Sequence, residues 1–551
     1  MSFLLDFTQH RARVLMNAPI SCYNETILTS EVTSLKTAYI HAKLRHPHHD
    51  AFIVENGQFT VFGKTIHVLK HDYDTVVDLA HHHVLPGFHD SHLHVLGIGM
   101  IRGIFSAAGF ARIDALIEAA RNHPADPLIG RGYHESQFTP SRSLVRTDLD
   151  QISTEKPVII YRVCGHMATA NTVALQAAKQ LGHPLPADPD SFDLESGIFK
   201  EEAIEWLTRI VPHPSHEQLT HELLDAQAYL LSLGVTAVGS DDFAIYKMPF
   251  EPVTDAIEAL DAAGRLKIRL YEQANLPVLE DLQRFIAKGY PGKRFNRYRI
   301  GPLKLLADGS LGARSAYMSQ PYQDRNTRGI RVFSPERLAT LVQTAMAAGM
   351  DFAIHAIGDQ MVEELCELAE TFPEETRMRH RHSIIHAQLA RRDQIDRMQR
   401  LNLGAQTQPI FINADLPVLP VALGERMRDS YLFGSMLRAG VLTTIGTDAP
   451  VESPSPFENL YVAMTRRSIR HPELGVFLHD EALTFDEAIS AYTHLPAYLT
   501  YDEARLGRLK AGYRADFIVV KGLIPARPDS LLQTHVLQTY IDGECVYQRP
   551  E

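Results

Sequence analysis

The rhythm of apolar and polar positions changes three times along the chain. Up to about residue 85, short apolar runs are separated by turn residues. Ala51-Phe52-Ile53-Val54 and Phe59-Thr60-Val61-Phe62 flank Glu55-Asn56-Gly57-Gln58. Asn-Gly between two β-rich runs predicts a hairpin. The C-terminal end has the same texture. Ala515-Asp516-Phe517-Ile518-Val519-Val520 and Glu544-Cys545-Val546-Tyr547 read as strands, with a turn at Ile541-Asp542-Gly543. This shared texture suggests that the two ends contribute strands to one small β domain.

The middle of the chain alternates differently. After an opening strand near residue 85 come apolar runs at 234–239, 267–271, 301–306, 352–355, 383–386, 403–406 and 441–446. Several of the segments between them are amphipathic at helical spacing, for example 335–348 and 361–369. Strands alternating with helices predict parallel βα units, and eight of them predict an α/β fold of the TIM (β/α)8 barrel type. The interval from about 100 to 230 is too long for one connection and holds its own strand, Val158-Ile159-Ile160-Tyr161. It reads as an insertion that covers the barrel mouth. The expected organisation is therefore a composite β domain from 1–84 with 500–551, and a barrel over 85–499 interrupted by an insertion at 100–230.

Composition narrows the function. A net charge of -12 argues against general nucleic-acid binding, which needs a basic surface. The four cysteines, Cys22, Cys164, Cys366 and Cys545, form no Cys-x-x-Cys pair, which disfavours a disulfide scaffold or a thiolate zinc site. No uncharged apolar run is long enough to span a bilayer, and the N-terminus lacks a basic leader, so a cytoplasmic protein is expected. A homodimer is expected only on the general prevalence of closed two-fold assemblies.

Candidate chemistry begins at Leu85-Pro86-Gly87-Phe88-His89-Asp90-Ser91-His92-Leu93-His94. On a strand, residues i and i+2 share a face, so His92 and His94 can converge on one metal ion. His81-His82-His83, by contrast, reads as a solvated turn, because consecutive residues do not share a face. Further polar residues sit at the expected strand ends. Lys304 lies in the fourth strand, His355 ends the fifth, His386 ends the sixth and Asp448 follows the eighth. Each alone has a bland explanation, a satisfied core histidine or a turn aspartate. Their occurrence in barrel order points to one site.

These residues carry a resemblance. The chain resembles the amidohydrolase superfamily, in the N-substituted formamide deformylase-like branch of metal-dependent hydrolases (amidohydrolase family 3). Exoenzyme-regulatory proteins of pectolytic bacteria share that branch. Besides the first motif, the matching segments are Lys304-Leu305-Leu306-Ala307-Asp308-Gly309, His355-Ala356-Ile357-Gly358-Asp359, His386-Ala387-Gln388 and Gly446-Thr447-Asp448-Ala449-Pro450. Gly507-Arg508-Leu509 and Gly512-Tyr513-Arg514-Ala515-Asp516 resemble the usual return to a small β-sandwich built from both termini. Two positions depart from the pattern: Ile385 stands where relatives usually carry glutamate, and Thr447 where serine is commoner.

The resemblance implies two divalent metal ions, zinc by preference, held by His92, His94, His355, His386 and Asp448. Lys304 would bridge them as a carbamate, whose two oxygens can hold cations about 3.5–4 Å apart. The alternative for Lys304 is an ion pair with Asp308 or another acid. Asp448 is the expected general base in cleavage of an amide, formamide or cyclic amide C–N bond of a small molecule by metal-activated hydroxide. His166, in Cys164-Gly165-His166, either contacts substrate or is structural. Arg314 either binds an anionic substrate group or forms a surface ion pair. Asp359 is expected to orient a loop or a histidine, and Glu201 has no assigned role. Two other readings stay open, a mononuclear deaminase and a catalytically silent regulatory or binding barrel.

Overall fold

The computed structural model describes residues 35–162, 167–186, 188–200 and 203–550. His166, Glu201, Cys22 and Cys164 lie outside the described residues. So does the N-terminal stretch read above for a leader. Two compact units divide the chain. One is formed by the described residues up to Val95 together with those from Gln227 onward, the other by Leu96–Ala226.

The larger unit contains an eight-stranded, all-parallel sheet in chain order. Its strands are Phe88–Leu93, Val235–Ser240, Arg269–Asn275, Tyr298–Leu306, Phe352–Ala356, Ser383–His386, Gly404–Thr407 and Thr443–Ile445. The eighth segment returns to the first: the Asp448 N–H donates to the His92 carbonyl at 2.8 Å, and the His94 N–H donates to the Ala449 carbonyl at 2.8 Å. The sheet is thus a nearly closed barrel with helices between its strands. In Pro335–Ala347, Ser334 caps the first turn and Pro335 occupies a position whose N–H has no intrahelical partner. The buried residues Leu338, Leu341, Val342 and Ala345 recur at 3, 4 and 7, forming one apolar stripe toward the sheet.

The fourth and eighth strands differ by a few residues from their sequence expectation, but the third differs in a way that matters. The apolar run ends at Tyr271, whereas the strand continues through Glu272, Gln273, Ala274 and Asn275. Those polar residues stay in the strand because they are satisfied inside the barrel. Gln273 Nε2 donates to the Ser91 carbonyl at 3.0 Å and to Gln406 Oε1 at 2.9 Å. No hydropathy pattern signals such an internal polar layer.

Two four-stranded sheets complete this unit. Lys36–Ile40, Ala51–Glu55, Gln58–Gly63 and Thr75–Asp78 form one. His83–Pro86, Phe517–Lys521, His535–Ile541 and Glu544–Gln548 form the other. One apolar cluster draws on both, including Tyr39, Phe52 and Phe59 with Phe517, Val519 and Tyr540. The hairpin turns are where the sequence puts them. Asn56 and Gly57 have φ of 52° and 74°, and Asp542 and Gly543 have 53° and 75°, the left-handed pairs a two-residue turn requires. The run from 83 to 93 is shared between sheets and breaks at Gly87, where a Cβ would fall 2.3 Å from Thr236 Oγ1. His83 begins a strand, and His81 takes a left-handed φ of 58° in the turn before it.

The smaller unit has its own six-stranded mixed sheet, built around Leu128–Tyr133 and Val158–Arg162. One apolar cluster contains Leu128, Val158 and Ile160, and a second contains Ile159, Ala168 and Phe199. Neighbouring strand residues thus feed different cores, as the two-residue period of a sheet buried on both faces dictates. No described helix in either unit is long and apolar enough to cross a membrane.

Candidate active site

The strand ends bring six of the predicted residues into one buried group. Asp448 Oδ1 lies 3.3 Å from His92 Nε2 and 3.1 Å from His94 Nε2. Lys304 Nζ lies 3.4 Å from His92 Nε2. His386 Nε2 lies 3.0 Å from His355 Nδ1, and the His92 and His386 ring centroids are 6.0 Å apart.

Three partners that hydropathy and motif reading do not reveal fix the rings. His92 Nδ1 is 2.6 Å from Gln273 Oε1, His94 Nδ1 is 2.6 Å from the Asp241 carbonyl, and His386 Nδ1 is 2.7 Å from Gln408 Oε1. The glutamine amides are oriented by their other bonds. Gln273 Nε2 faces two acceptors, and Gln408 Nε2 donates to the Gln406 carbonyl at 3.1 Å. Each Oε1 must therefore accept from Nδ1–H, so Nε2 of these histidines is the lone-pair nitrogen. His355 is turned the other way: its Nε2 donates to the Gly309 carbonyl at 3.1 Å, which leaves Nδ1 as the lone pair.

Lone pairs then face one another in two places. His92 Nε2 and His94 Nε2 point at a carboxylate oxygen, and His355 Nδ1 points at His386 Nε2. Acceptors packed at about 3 Å repel unless a proton or a metal cation is shared between them. His92, His94 and Asp448 offer ligand atoms all within 4.8 Å of one another. The donor set, two imidazoles with a carboxylate, suits a divalent transition metal, which binds imidazole in its neutral form, and hydrogen bonds to the far ring nitrogens are the usual support of such ligands.

The acid–base balance follows the same geometry. Burial and the Lys304 charge push His92 down to about 4. Burial and His355 push His386 well below its ordinary value. Burial also opposes a charge on His94, but Asp448 and Asp241 outweigh it and raise the ring to about 9. Burial likewise opposes ionisation of Asp448, yet the His92 and His94 contacts hold its carboxyl well below the usual range. Burial lowers Lys304, with Asp241 and Asp448 opposing.

The backbone at the site is held in costly conformations. Asp448, His386 and Ala387 have φ of 55°, 76° and 45°. Left-handed backbone at non-glycine residues persists only where the surroundings over-determine it. Asp90 supplies part of that constraint. Its carboxylate accepts from the Thr447 hydroxyl at 2.9 Å, the Tyr492 hydroxyl at 2.8 Å and the Thr447 N–H at 3.1 Å. Thr447 thus uses the hydroxyl it shares with serine, and the Asp448 loop is tied to the first strand.

Other predicted residues fall elsewhere. Arg314 is committed to Asp324 through Nε at 3.0 Å and Nη2 at 2.7 Å, and to the Leu311 and Gly312 carbonyls. That is the ion-pair alternative. Asp308 does not pair with Lys304. It accepts from the Ile357, Gly358 and Tyr317 N–H groups and lies 3.3 Å from His355 Nε2. Asp359 holds a loop, accepting from the Ser319 N–H and hydroxyl. Ile385 is fully buried beside His386, with its side chain on the opposite strand face.

The chain is similar to several known proteins. The pattern that defines the Amidohydrolase family matches residues 75–547. The Bacillus subtilis protein YtcJ, an amidohydrolase by name, is 30% identical over 481 residues, 85% of this chain and 89% of that protein. The N-substituted formamide deformylase of Arthrobacter pascens is 25% identical over 504 residues, 86% of this chain and 90% of that enzyme. An uncharacterized metal-dependent hydrolase from Pyrococcus horikoshii OT3 superposes with a TM-score of 0.75 at 28% identity, covering 89% of this chain and 98% of that one.

Proposed function

The chain belongs to the amidohydrolase family, and on that premise we propose that it is a metal-dependent hydrolase of C–N bonds in small amides, formamides or cyclic amides. The observation that carries this reading is the convergence of His92 Nε2 and His94 Nε2 on Asp448 Oδ1, two imidazoles and a carboxylate whose ligand atoms could hold one metal ion. His92, His94 and Asp448 would hold one ion, and His355 and His386 a second. Lys304 would bridge them as a carbamate. It is buried, with no ion-pair partner among the described residues, as an amine that reacts with carbon dioxide requires. When bound, such ions acidify water and polarise a scissile carbonyl.

The protein's own groups supply the proton handling. Asp448 accepts a proton from attacking water and returns it to the departing nitrogen, so water adds across the C–N bond to give an acid and an amine. The Asp448 N–H bond to the His92 carbonyl keeps the carboxylate in reach through both transfers. Gln273, Gln408 and the Asp241 carbonyl each hold an Nδ1–H and keep the imidazoles aimed, with Nε2 turned toward the site. The closeness of the His92, His94 and Asp448 ligand atoms also favours a second reading, a one-ion site of the deaminase type.

Elemental analysis of protein purified without chelator or histidine tag separates these readings. Two divalent ions per chain, with turnover of N-substituted formamides or cyclic amides that Asp448→Asn abolishes, is the expected result. One ion per chain selects the one-ion site. No ion, and no uptake with added metal and bicarbonate, refutes both.

A further inference from the structure

The opposite end of the barrel has a small recess of about 70 Å³, open to solvent and rich in arginine. It lies at the N-terminal ends of the first four strands. His89, Arg269, Tyr271, Arg297 and Arg299 line it, with Arg294 from the turn before the fourth strand. The histidine cluster lies at the C-terminal ends of the barrel strands, the end away from this recess.

Its charges are not balanced from within. Asp502 is paired with Arg505, and Asp516 and Asp542 are taken by Arg269, with Arg297 also on Asp542. Asp351, just beyond, accepts from His380 and Tyr501. Arg294 and Arg299 have no carboxylate partner among the described residues, yet they pair with each other across an antiparallel bridge. Like charges directly opposite across a bridge destabilise it unless something neutralises them. Arg299 is held between the Tyr271 and Tyr501 rings, at 5.2 and 5.4 Å, with Nη1 on the Thr500 carbonyl. Its Nε, Nη1 of Arg297 and both ring nitrogens of His89 are buried without a hydrogen-bond partner among the described residues. His89 is only 5% exposed. Buried donors of this kind are normally satisfied, so several orphans on residues that line one recess point to a ligand that accepts from them.

We propose that this recess is a second, non-catalytic binding site for a phosphate group, either free phosphate or the phosphate of a small monoester. Two guanidinium groups without a carboxylate partner among the described residues match a charge of roughly −1.5 to −2 at neutral pH, and their planar forks suit its oxygens. Burial keeps His89 neutral at about 4, so it adds one N–H donor without a further charge.

Titration calorimetry of the metal-loaded protein with inorganic phosphate, at ionic strength fixed with sodium chloride, tests this. One saturable site is expected, weakened about tenfold or more in Arg294→Glu, an exposed position that does not threaten folding, and in His89→Phe. Asp448→Asn should leave it intact. The proposal is overturned if no saturable site exists, if Arg294→Glu binds like the parent, or if Asp448→Asn alone abolishes binding, which would place phosphate at the histidine cluster. A parallel titration with glycerol 3-phosphate separates the two sources: tighter binding than inorganic phosphate selects a monoester, weaker binding selects the free anion.

Discussion

Gln273→Leu tests whether the layer beneath the proposed metal ligands sets metal affinity. Gln273 makes three buried bonds: from His92 Nδ1 at 2.6 Å, to the Ser91 carbonyl at 3.0 Å and to Gln406 Oε1 at 2.9 Å. Leucine fills much of the same space and makes none of them. The ring of His92, 0% exposed, then has no acceptor for Nδ1–H and loses the bond that selects its tautomer. Loss of such a partner typically costs 10–100-fold in metal affinity, about 1.4–2.7 kcal/mol. Stability should fall as well, by about 1–3 kcal/mol for each buried group left unpaired. Gln406→Leu separates the two effects. It removes one of the two acceptors of Gln273 Nε2 and the donor to the Ser383 hydroxyl but leaves the Gln273 Oε1 contact to His92 intact. Competition against a chelator of known affinity, with thermal unfolding alongside, should show both variants destabilised and only Gln273→Leu impaired in metal binding. Equal metal affinity in Gln273→Leu and the parent, or equal losses in the two variants, would refute the reasoning.

Three further predictions follow from the same geometry. Asp448→Asn should lower kcat by about 10²–10⁴-fold with little loss of fold, measured on whichever amide proves to be turned over. Gly446→Ala should fail to load metal or to fold stably, because its Cβ would lie 2.7 Å from the His92 nitrogen and 2.9 Å from Asp90 Oδ1; metal content and thermal unfolding would read this out. His382, 3% exposed and stacked on Phe352, is pushed by burial down to about 4. Its contribution is complete above pH 6.5 and is lost as pH falls toward 4, by about 3 kcal/mol in all, since the unfolded chain takes up the proton first. His382→Phe should therefore be less stable at pH 7.5, having lost the acceptor for the Phe352 N–H, yet lose less stability between pH 7 and 4.5.

The legible part of this protein was whatever follows from period and motif. Ala51-Phe52-Ile53-Val54 and Phe59-Thr60-Val61-Phe62 are β-rich runs, and Asn56-Gly57 between them has few conformations open to it, so the hairpin could be read directly. The strand-end residues His92, His94, Lys304, His355, His386 and Asp448 could be placed because barrels expose strand C-termini to one face. Gln273 and Gln408 could not. An amide in a strand looks like a solvated position, and only a structure shows that its partner is a histidine ring from a distant strand. Asp90 lay in plain view within the His-Asp-Ser-His run but was overshadowed by the histidines it supports. Arg314 carried no signal distinguishing a substrate clamp from an ion pair, since Asp324 is unremarkable until the loop between them closes.

The seam between the first and last barrel strands bears on how the protein is made. His94 and Asp448 stand 354 residues apart in the chain yet touch across that seam. During synthesis the histidine pair emerges early, and its carboxylate partner leaves the ribosome only after most of the barrel has been translated. A nascent chain can display an exposed histidine pair for most of its elongation without the trio that would retain an ion firmly. Metal binding of the kind proposed would thereby wait for the end of translation, and a chain truncated anywhere before Asp448 is expected to be both open-edged and poor in metal.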